Sequence, residues 1–216
     1  MIGVTSGLRE RKRRRTHDAI SAAAITLFLE RGYDGVSVAD VAAAAEVSKP
    51  TLFKYFATKE DLVLHRIADH IGESARVVRA RPAGSDPIAA LRAHFQDGLA
   101  RRDPVTGLND VPEVLAYHRL VFETPALAAR VASHAATEEA LLAEALGDGL
   151  VARLLAGQVV AVQRILARDN WHRLRSGTSA DARYPDAVRD ADLGFDQLAA
   201  ATNSAPHFSA TPVDRG

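Results

Sequence analysis

The chain has 216 residues, of which 47% are hydrophobic and 25% charged, an ordinary balance for a soluble globular protein. Its 27 lysines and arginines equal its 27 acidic residues, and it has no cysteine. The lack of cysteine excludes a disulfide framework, a thiolate metal site and a thiol nucleophile. The sequence shows no secretory signal and no uninterrupted apolar run of about twenty residues. We therefore expect a cytoplasmic protein without a membrane span.

The zero net charge hides an asymmetry along the chain. Residues 1–60 contain ten basic and seven acidic residues, whereas residues 61–216 contain 17 basic and 20 acidic residues. Six of the basic residues lie within residues 9–15, beside a single acid. This distribution indicates an anionic partner near the start of the chain.

The first predicted helix carries one apolar stripe over residues 20–28. Gly32 follows its end, where a left-handed backbone costs little, and Tyr33 can fold back toward Phe28. Ser37 opens a second helix, because Asp40 three residues later completes a capping box. A third, very short helix is predicted over residues 48–55.

Further caps and breaks divide the rest of the chain into helices. Thr58 and Asp61 form another capping box, which begins a fourth helix that we expect to reach about Arg79. Asp86 before Pro87 is an N-cap followed by proline at the first helical position. The later predicted helices cover about residues 86–99, 112–122, 125–146, 151–174 and 185–201, and residues 202–216 form a polar tail that we expect to be disordered. The fold class predicted is all-α.

Residues 37–56, SVADVAAAAEVSKPTLFKYF, have the pattern of a helix-turn-helix. Ala42 and Ala45 are small where the two helices cross, and the turn lies around Glu46. The outward positions of the third helix combine cations, hydroxyls and aromatic groups, which suit DNA phosphates and base edges. The candidate DNA-binding residues are Ser37, Ser48, Lys49, Pro50, Thr51, Phe53, Lys54, Tyr55 and Lys59, with Arg13, Arg14 and Arg15 of the preceding basic arm.

The stretch from residue 16 to residue 62 resembles the DNA-binding region of the TetR family of bacterial one-component regulators. The most specific part is LFKYF at residues 52–56, followed by KEDL at residues 59–62. The resemblance implies a homodimer whose two recognition helices read a palindromic operator in double-stranded DNA. It also implies a helical effector domain with an apolar cavity and no catalytic cofactor.

We therefore assign four segments to the chain. Residues 1–15 are a basic arm, residues 16–62 a helix-turn-helix domain, residues 63–201 a ligand-binding and dimerisation domain, and residues 202–216 the tail. The family resemblance implies that a small apolar effector tilts the fourth helix and changes the spacing of the two DNA-binding heads. The apolar helix at residues 151–171, with part of the last helix, is predicted to form a four-helix dimer interface.

Two positions depart from the family pattern. Glu46 stands in the turn where glycine is common, and a left-handed backbone there costs glutamate about 1 kcal/mol. Phe53 stands where tyrosine is frequent and therefore lacks a hydroxyl for a phosphate. We expect DNA contacts to shift toward Lys54 and Tyr55.

Residues for the effector pocket are selected from apolar helices that contain few charged side chains. His118 is the expected polar anchor, because it lies among Leu115, Val121 and Phe122. The candidate pocket residues are Leu91, Phe95, His118, Phe122 and Trp171.

Two other functions stay open at the level of sequence. The first is an all-helical enzyme or ligand carrier with a vestigial DNA-binding head. It is suggested by two histidine–carboxylate pairs four residues apart, His65 with Asp69 and His134 with Glu138, each of which could supply two metal ligands. No third ligand, phosphate-binding glycine loop or nucleophilic serine motif accompanies them, so exposed helix pairs explain them better. A non-specific DNA binder using only the basic arm is the other. Its affinity would fall with salt equally on all sequences.

Overall fold

A computed structural model describes residues 3–147 and 149–203, with side chains over residues 9–147 and 149–200. This part of the chain is all-α and contains no strand, which confirms the predicted fold class. The helices are α1 (Gly3–Arg31), α2 (Val38–Ala44), α3 (Lys49–Phe53), α4 (Asp61–Ala68), α5 (Glu73–Ala80), α6 (Pro87–Ala100), α7 (Pro112–Glu123), α8 (Pro125–Leu146), α9 (Leu150–Arg175) and α10 (Ala180–Asn203). A single 3₁₀ turn, Pro104–Thr106, lies between α6 and α7.

The chain divides into two compact units. The first, called the head here, comprises residues 1–69 and 116–132, and the second unit comprises residues 70–115 and 133–216. Each unit has its own hydrophobic core. As a compact unit the head reaches residue 69 and takes in residues 116–132, while the functional boundary expected after residue 62 stays a prediction.

The basic segment at residues 9–15 is part of α1 and does not precede it. Arginine and lysine are good helix formers, so the run of cations extends the helix toward the N-terminus. Residues 9–15 are all exposed, and the apolar side of the helix begins only at Ile20. The predicted arm is therefore a polar helical extension.

The fourth predicted helix is wrong in its length. It is two helices, α4 and α5, separated at Gly72, whose φ of 80° is left-handed. Glu138 of α8 accepts hydrogen bonds from the backbone amides of Gly72 and Ser74, the second at 3.2 Å. This carboxylate satisfies amide groups that the interrupted helix leaves without partners, so the break is stabilised by a side chain distant in sequence.

The start of the last helix is also wrong in the prediction. We expected it at Pro185, the usual first-turn position of proline, but α10 begins at Ala180 and holds Pro185 inside. The amide of Ala180 donates to the Asp110 carboxylate at 2.8 Å, which supports the earlier start. Residues 202 and 203 of the predicted tail end this helix, and residues 204–216 lie outside the described residues.

The second unit is organised around α10, which packs against both α6 and α9 in its core. Arg183 of α10 is 7% exposed and bonds the side chains of Asp169 at 3.0 Å, Asp190 at 2.5 Å and Asn170 at 3.0 Å. A buried guanidinium needs such partners, because an unpaired charge in the interior costs several kcal/mol. This network fixes α10 against α9.

Helix α9 is long and apolar enough, by length and composition alone, to cross a membrane. Its most apolar stretch has a mean hydropathy of 1.5, and 28% of that stretch is buried. One face of α9 packs in the core of the second unit, whereas Leu150, Val151, Leu154 and Ile165 are exposed on another. The helix thus has two apolar faces, and the residues that the structure describes cover one of them.

Candidate nucleic-acid interface

The core of the head holds α1, α2 and α3 together. The side chains that pack between these helices are at most 4% exposed: Ile20, Ala24, Phe28, Val41, Ala42, Leu52 and Phe56. Tyr33 lies with its ring centroid 5.2 Å from that of Phe28, which confirms that the chain folds back after Gly32. The buried positions of α2 and α3 match the inner face that the sequence predicts.

Both short helices of the motif are capped as predicted. The hydroxyl of Ser37 accepts from the Asp40 amide at 3.2 Å, and the Asp40 carboxylate accepts from the Ser37 amide at 2.8 Å. The Ser48 hydroxyl accepts from the Thr51 amide at 3.2 Å. Such caps stabilise helices of seven and five residues that would not persist alone in water.

The turn between α2 and α3 is strained at the residue expected. Glu46 has a φ of 53°, in the left-handed region that a glutamate seldom adopts. The Val47 amide donates to the Ala42 carbonyl at 2.9 Å, so the turn closes tightly onto the end of α2. Packing of α3 against the head core therefore holds Glu46 in a conformation that suits glycine better.

The outward surface of α3 and the residues just after it carries the candidate DNA-binding side chains. Lys49, Pro50, Phe53 and Lys54 are exposed, and Thr51 and Tyr55 are half-buried. Leu52 and Phe56 point into the core and fix the orientation of the others. Ser37 and Ser48 lie exposed at the starts of α2 and α3, where their hydroxyls already serve as caps.

A pocket of about 600 Å³ adjoins this surface within the head. Arg13 and Arg14 of α1, Tyr55 and Arg66 of α4 are among the side chains lining it. The structure therefore brings two arginines of the predicted arm to the same pocket as the end of the recognition segment. Arg15 is exposed on α1 and is not one of the lining residues.

Lys59, which the sequence suggests as a free cation for a DNA phosphate, is already in contact with Tyr33. Its ammonium donates to the Tyr33 carbonyl at 2.6 Å and lies 4.2 Å from the centroid of the Tyr33 ring. An ammonium has three donors, so a phosphate contact remains compatible with this position. The lysine also joins the start of α4 to the end of α1.

His65 has a structural role in the head. Its Nε2 lies 3.0 Å from the hydroxyl of Ser21, and its ring meets those of Phe56 and His17 edge-on. Burial lowers the pKa of His65 below its ordinary value, and the nearby charges of His17 and Arg66 lower it further. The imidazole packs between α1 and α4, where burial favours its neutral form.

The histidine–carboxylate pairs that could supply metal ligands have other contacts in the structure. No group in the described part of the chain brings together three or more histidine, aspartate or glutamate side chains with the arrangement of a metal site. Glu138, the partner proposed for His134, is occupied with the amides of Gly72 and Ser74. Glu138 therefore has a structural contact of its own in the second unit.

Residues far along the chain complete the head, and sequence reasoning missed them. The Tyr117 hydroxyl donates to the Val63 carbonyl at 2.8 Å, and Arg130 lies 3.7 Å from the Asp61 carboxylate. Val121 and Leu127 are fully buried in the same core. Apolar residues of α7 and α8 were visible in the sequence, but nothing in their periodicity showed which unit they would join.

The candidate effector residues fall into different units. Leu91, Phe95 and Trp171 are buried in the second unit, whereas His118 and Phe122 lie in the head. The His118 and Phe122 ring centroids are 5.9 Å apart. The proposed pocket stays a prediction.

Comparison with known proteins agrees with the geometry of the head. The family described as bacterial regulatory proteins, tetR family, matches residues 20–65. The HTH-type transcriptional regulator TcmR of Streptomyces glaucescens is 34% identical over 185 residues, covering 82% of this chain and 81% of TcmR. Relatives of this kind are transcriptional regulators and not enzymes.

Solved structures share the fold over most of the chain. NalD, the secondary repressor of the MexAB-OprM multidrug efflux pump in Pseudomonas aeruginosa, is similar with a TM-score of 0.55 at 16% identity, covering 85% of this chain and 97% of NalD. A TetR-family regulator from Streptomyces coelicolor gives 0.53 at 23% identity, covering 85% and 96%. The helix-turn-helix geometry, the family match and the long similarity to TcmR agree: the chain belongs to the TetR family of DNA-binding transcriptional regulators.

Proposed function

We propose that the protein is a cytoplasmic homodimeric repressor whose binding to a palindromic operator is controlled by a small apolar molecule. The observation that carries this proposal is the exposed surface of α3, held by two capped helices and a buried core. Each dimer would place two such surfaces in successive major grooves about 34–36 Å apart. NalD is named a repressor, which supports repression as the direction of control.

The second apolar face of α9 supports a dimer. The exposed residues Leu150, Val151, Leu154 and Ile165 fall within a sector of about 100° on an α-helix with 3.6 residues per turn. Leu193 of α10 is also exposed, at 61%. A helix that is apolar on two sides is normally covered on both, and a second copy of the chain would cover this one in a four-helix interface.

Charge substitution at this face tests the dimer. We expect Leu154→Glu with Ile165→Glu to give monomers in analytical ultracentrifugation and to abolish operator binding, because a single head makes half the contacts. Ala93→Glu is a matched control, since Ala93 is exposed on α6 and not on α9 or α10. A double variant that remains dimeric would refute the interface.

Control by an effector is proposed for the second unit. Leu91 is fully buried and Phe95 is 6% exposed, so both belong to the apolar core of this unit, and a small-molecule site beside them would have the mainly apolar lining usual for such sites. The effector must bind one state of the dimer better than the other to change operator affinity. Leu91→Trp is expected to reduce the response to an apolar ligand more than it reduces DNA binding. Equal loss of both activities would contradict a separate sensing site.

Selection of bound sequences from a random DNA pool is the test of the whole proposal. A sequence-specific dimer yields a palindromic consensus, and a non-specific binder yields none. An enzyme or ligand carrier with a vestigial head would enrich no sequence. The same experiment therefore separates all three functions.

A further inference from the structure

The recognition surface of α3 is poor in groups that identify bases by hydrogen bonds. Residues 48–56, SKPTLFKYF, include no arginine, asparagine, glutamine, aspartate or glutamate. Those side chains make many of the specific donor and acceptor pairs with base edges, and lysine, serine and threonine are the other groups that can do so. Pro50 offers only an apolar ring toward the groove. Sequence reading by this surface therefore depends on its lysines, its hydroxyl groups and its apolar side chains.

The hydroxyl groups near the start of α3 are already engaged. The Thr51 hydroxyl lies 2.8 Å from that of Ser48, and the Ser48 hydroxyl also accepts from the Thr51 amide. Within the described residues, the two lysines Lys49 and Lys54 make no ion pair. Compact cations of this kind suit phosphates, which position a protein on DNA without identifying its sequence.

Phe53 is the most exposed of the phenylalanines and tyrosines in the described part of the head, and Tyr55 after it is half-buried. Phe28, Phe56 and Tyr33 are 1%, 2% and 7% exposed, whereas Phe53 is 44% exposed. Its direction is fixed, since Leu52 beside it is buried and the Phe56 amide donates to the Leu52 carbonyl at 3.0 Å. A phenyl group thus extends from a fixed backbone on the outward side of α3, away from the core.

We propose that Phe53 is a specificity-determining residue that identifies thymine through its 5-methyl group, once in each operator half-site. The thymine methyl is the apolar group that the four bases present in the major groove, and phenylalanine is a side chain able to contact it. The inference rests on the proposed sequence-specific binding of DNA. Because α3 has no amide or guanidinium side chain, this inference assigns the discrimination between bases at one position to an apolar contact of Phe53.

Replacing thymine by deoxyuridine tests this assignment, because the change removes the methyl group and leaves the base pair intact. Each thymine of the selected operator is replaced in turn, symmetrically in both half-sites, and affinity is measured by fluorescence anisotropy. One position is expected to lose about fourfold per half-site, the effect of one buried methyl group. The full-length protein is used throughout.

A double-mutant cycle attributes the loss to Phe53. Phe53→Ala is expected to bind the thymine operator more weakly and to show no further loss on the deoxyuridine operator. Lys54→Ala is the matched comparison: it also binds more weakly, but it keeps the full sensitivity to deoxyuridine. Because Phe53 is exposed, its replacement leaves the melting temperature unchanged, and this is checked for each variant.

The outcomes separate this inference from the function on which it rests. A pool that yields no consensus overturns both. A consensus whose thymines can all be replaced by deoxyuridine without loss overturns the role of Phe53 alone. A sensitivity to deoxyuridine that persists in Phe53→Ala also overturns it, because another residue then contacts the methyl group.

Discussion

The head and the second unit differ in what their exposed residues do. In the head, short capped helices place Lys49, Phe53 and Lys54 on the surface above a tightly buried core. In the second unit, long helices bury a larger core and leave leucine and isoleucine side chains exposed on α9. Every operator is a double helix with similar groove dimensions, so the residues of the head are restricted to a narrow sequence pattern. An effector and a partner copy impose less uniform requirements, so the second unit carries a weaker signature.

The largest effect is expected from removing one buried phenyl ring from the core of each unit, because this compares how the two units unfold. Phe28→Ala in the head and Phe195→Ala in the second unit each remove a phenyl ring at most 1% exposed, at a cost of about 3–5 kcal/mol in unfolding free energy. The single tryptophan, Trp171, reports on the second unit alone. We expect Phe28→Ala to shift denaturation followed by circular dichroism while leaving the Trp171 fluorescence transition in place. Coincident shifts for both variants would show that the units unfold together.

The next effect concerns the arginines that α1 brings to the pocket beside Tyr55. Arg13→Ala with Arg14→Ala is expected to reduce the dependence of log affinity on log salt by about two, one for each lost phosphate contact. Affinity should fall similarly on all sequences, since phosphates carry no base identity. Arg189→Ala, at an exposed position of α10, is the control and should leave the slope unchanged. A changed consensus would instead assign these arginines to base contacts.

A smaller effect is expected at the strained turn. Glu46→Gly should stabilise the head by about 1 kcal/mol, because glycine adopts the left-handed backbone without a steric penalty. Glu46→Ala is the matched control and should give little gain, since alanine retains the Cβ atom. Chemical denaturation of both variants measures the difference. An equal gain for alanine would attribute the effect to the carboxylate and not to the backbone.

The smallest effect expected is a pH dependence confined to the head. His65 has a folded-state pKa below its ordinary value of 6.5, so the unfolded chain binds the proton more readily. The melting temperature should therefore fall as the pH drops below about 6.5. His65→Gln cannot take up that proton and should weaken this dependence, whereas His172→Gln, exposed in the second unit, should not. Identical profiles for the three proteins would contradict the role given to His65.

The sequence predicted local structure far better than long-range packing. The Ser37 and Ser48 caps and the left-handed Glu46 are set by residues within a few positions of one another, and each was correct. The break at Gly72 depends on Glu138, which lies 66 residues away, so no local pattern could reveal it. The hydrogen bond from Tyr117 to Val63 also joins residues far apart in the sequence, so it could not be predicted either.

The predicted site shows the same division. The exposure of Lys49, Phe53 and Lys54 followed from helical periodicity around Leu52. The contact of Lys59 with Tyr33 did not, because a lysine near a capping box gives no sign of which carbonyl it reaches. For the effector residues, a single sequence could identify apolar positions but could not assign His118 and Leu91 to different units.

Operator binding by the double variant Lys54→Ala with Tyr55→Ala tests the central claim, that the surface of α3 reads DNA, most directly. On the sequence selected by the wild type, we expect at least a tenfold loss of affinity in fluorescence anisotropy, with the dimer still folded. Arg101→Ala with Arg189→Ala, two exposed cations of the second unit, is the matched control and should bind as the wild type does. Unchanged affinity in the Lys54 and Tyr55 variant would contradict the assignment of α3 as the recognition helix.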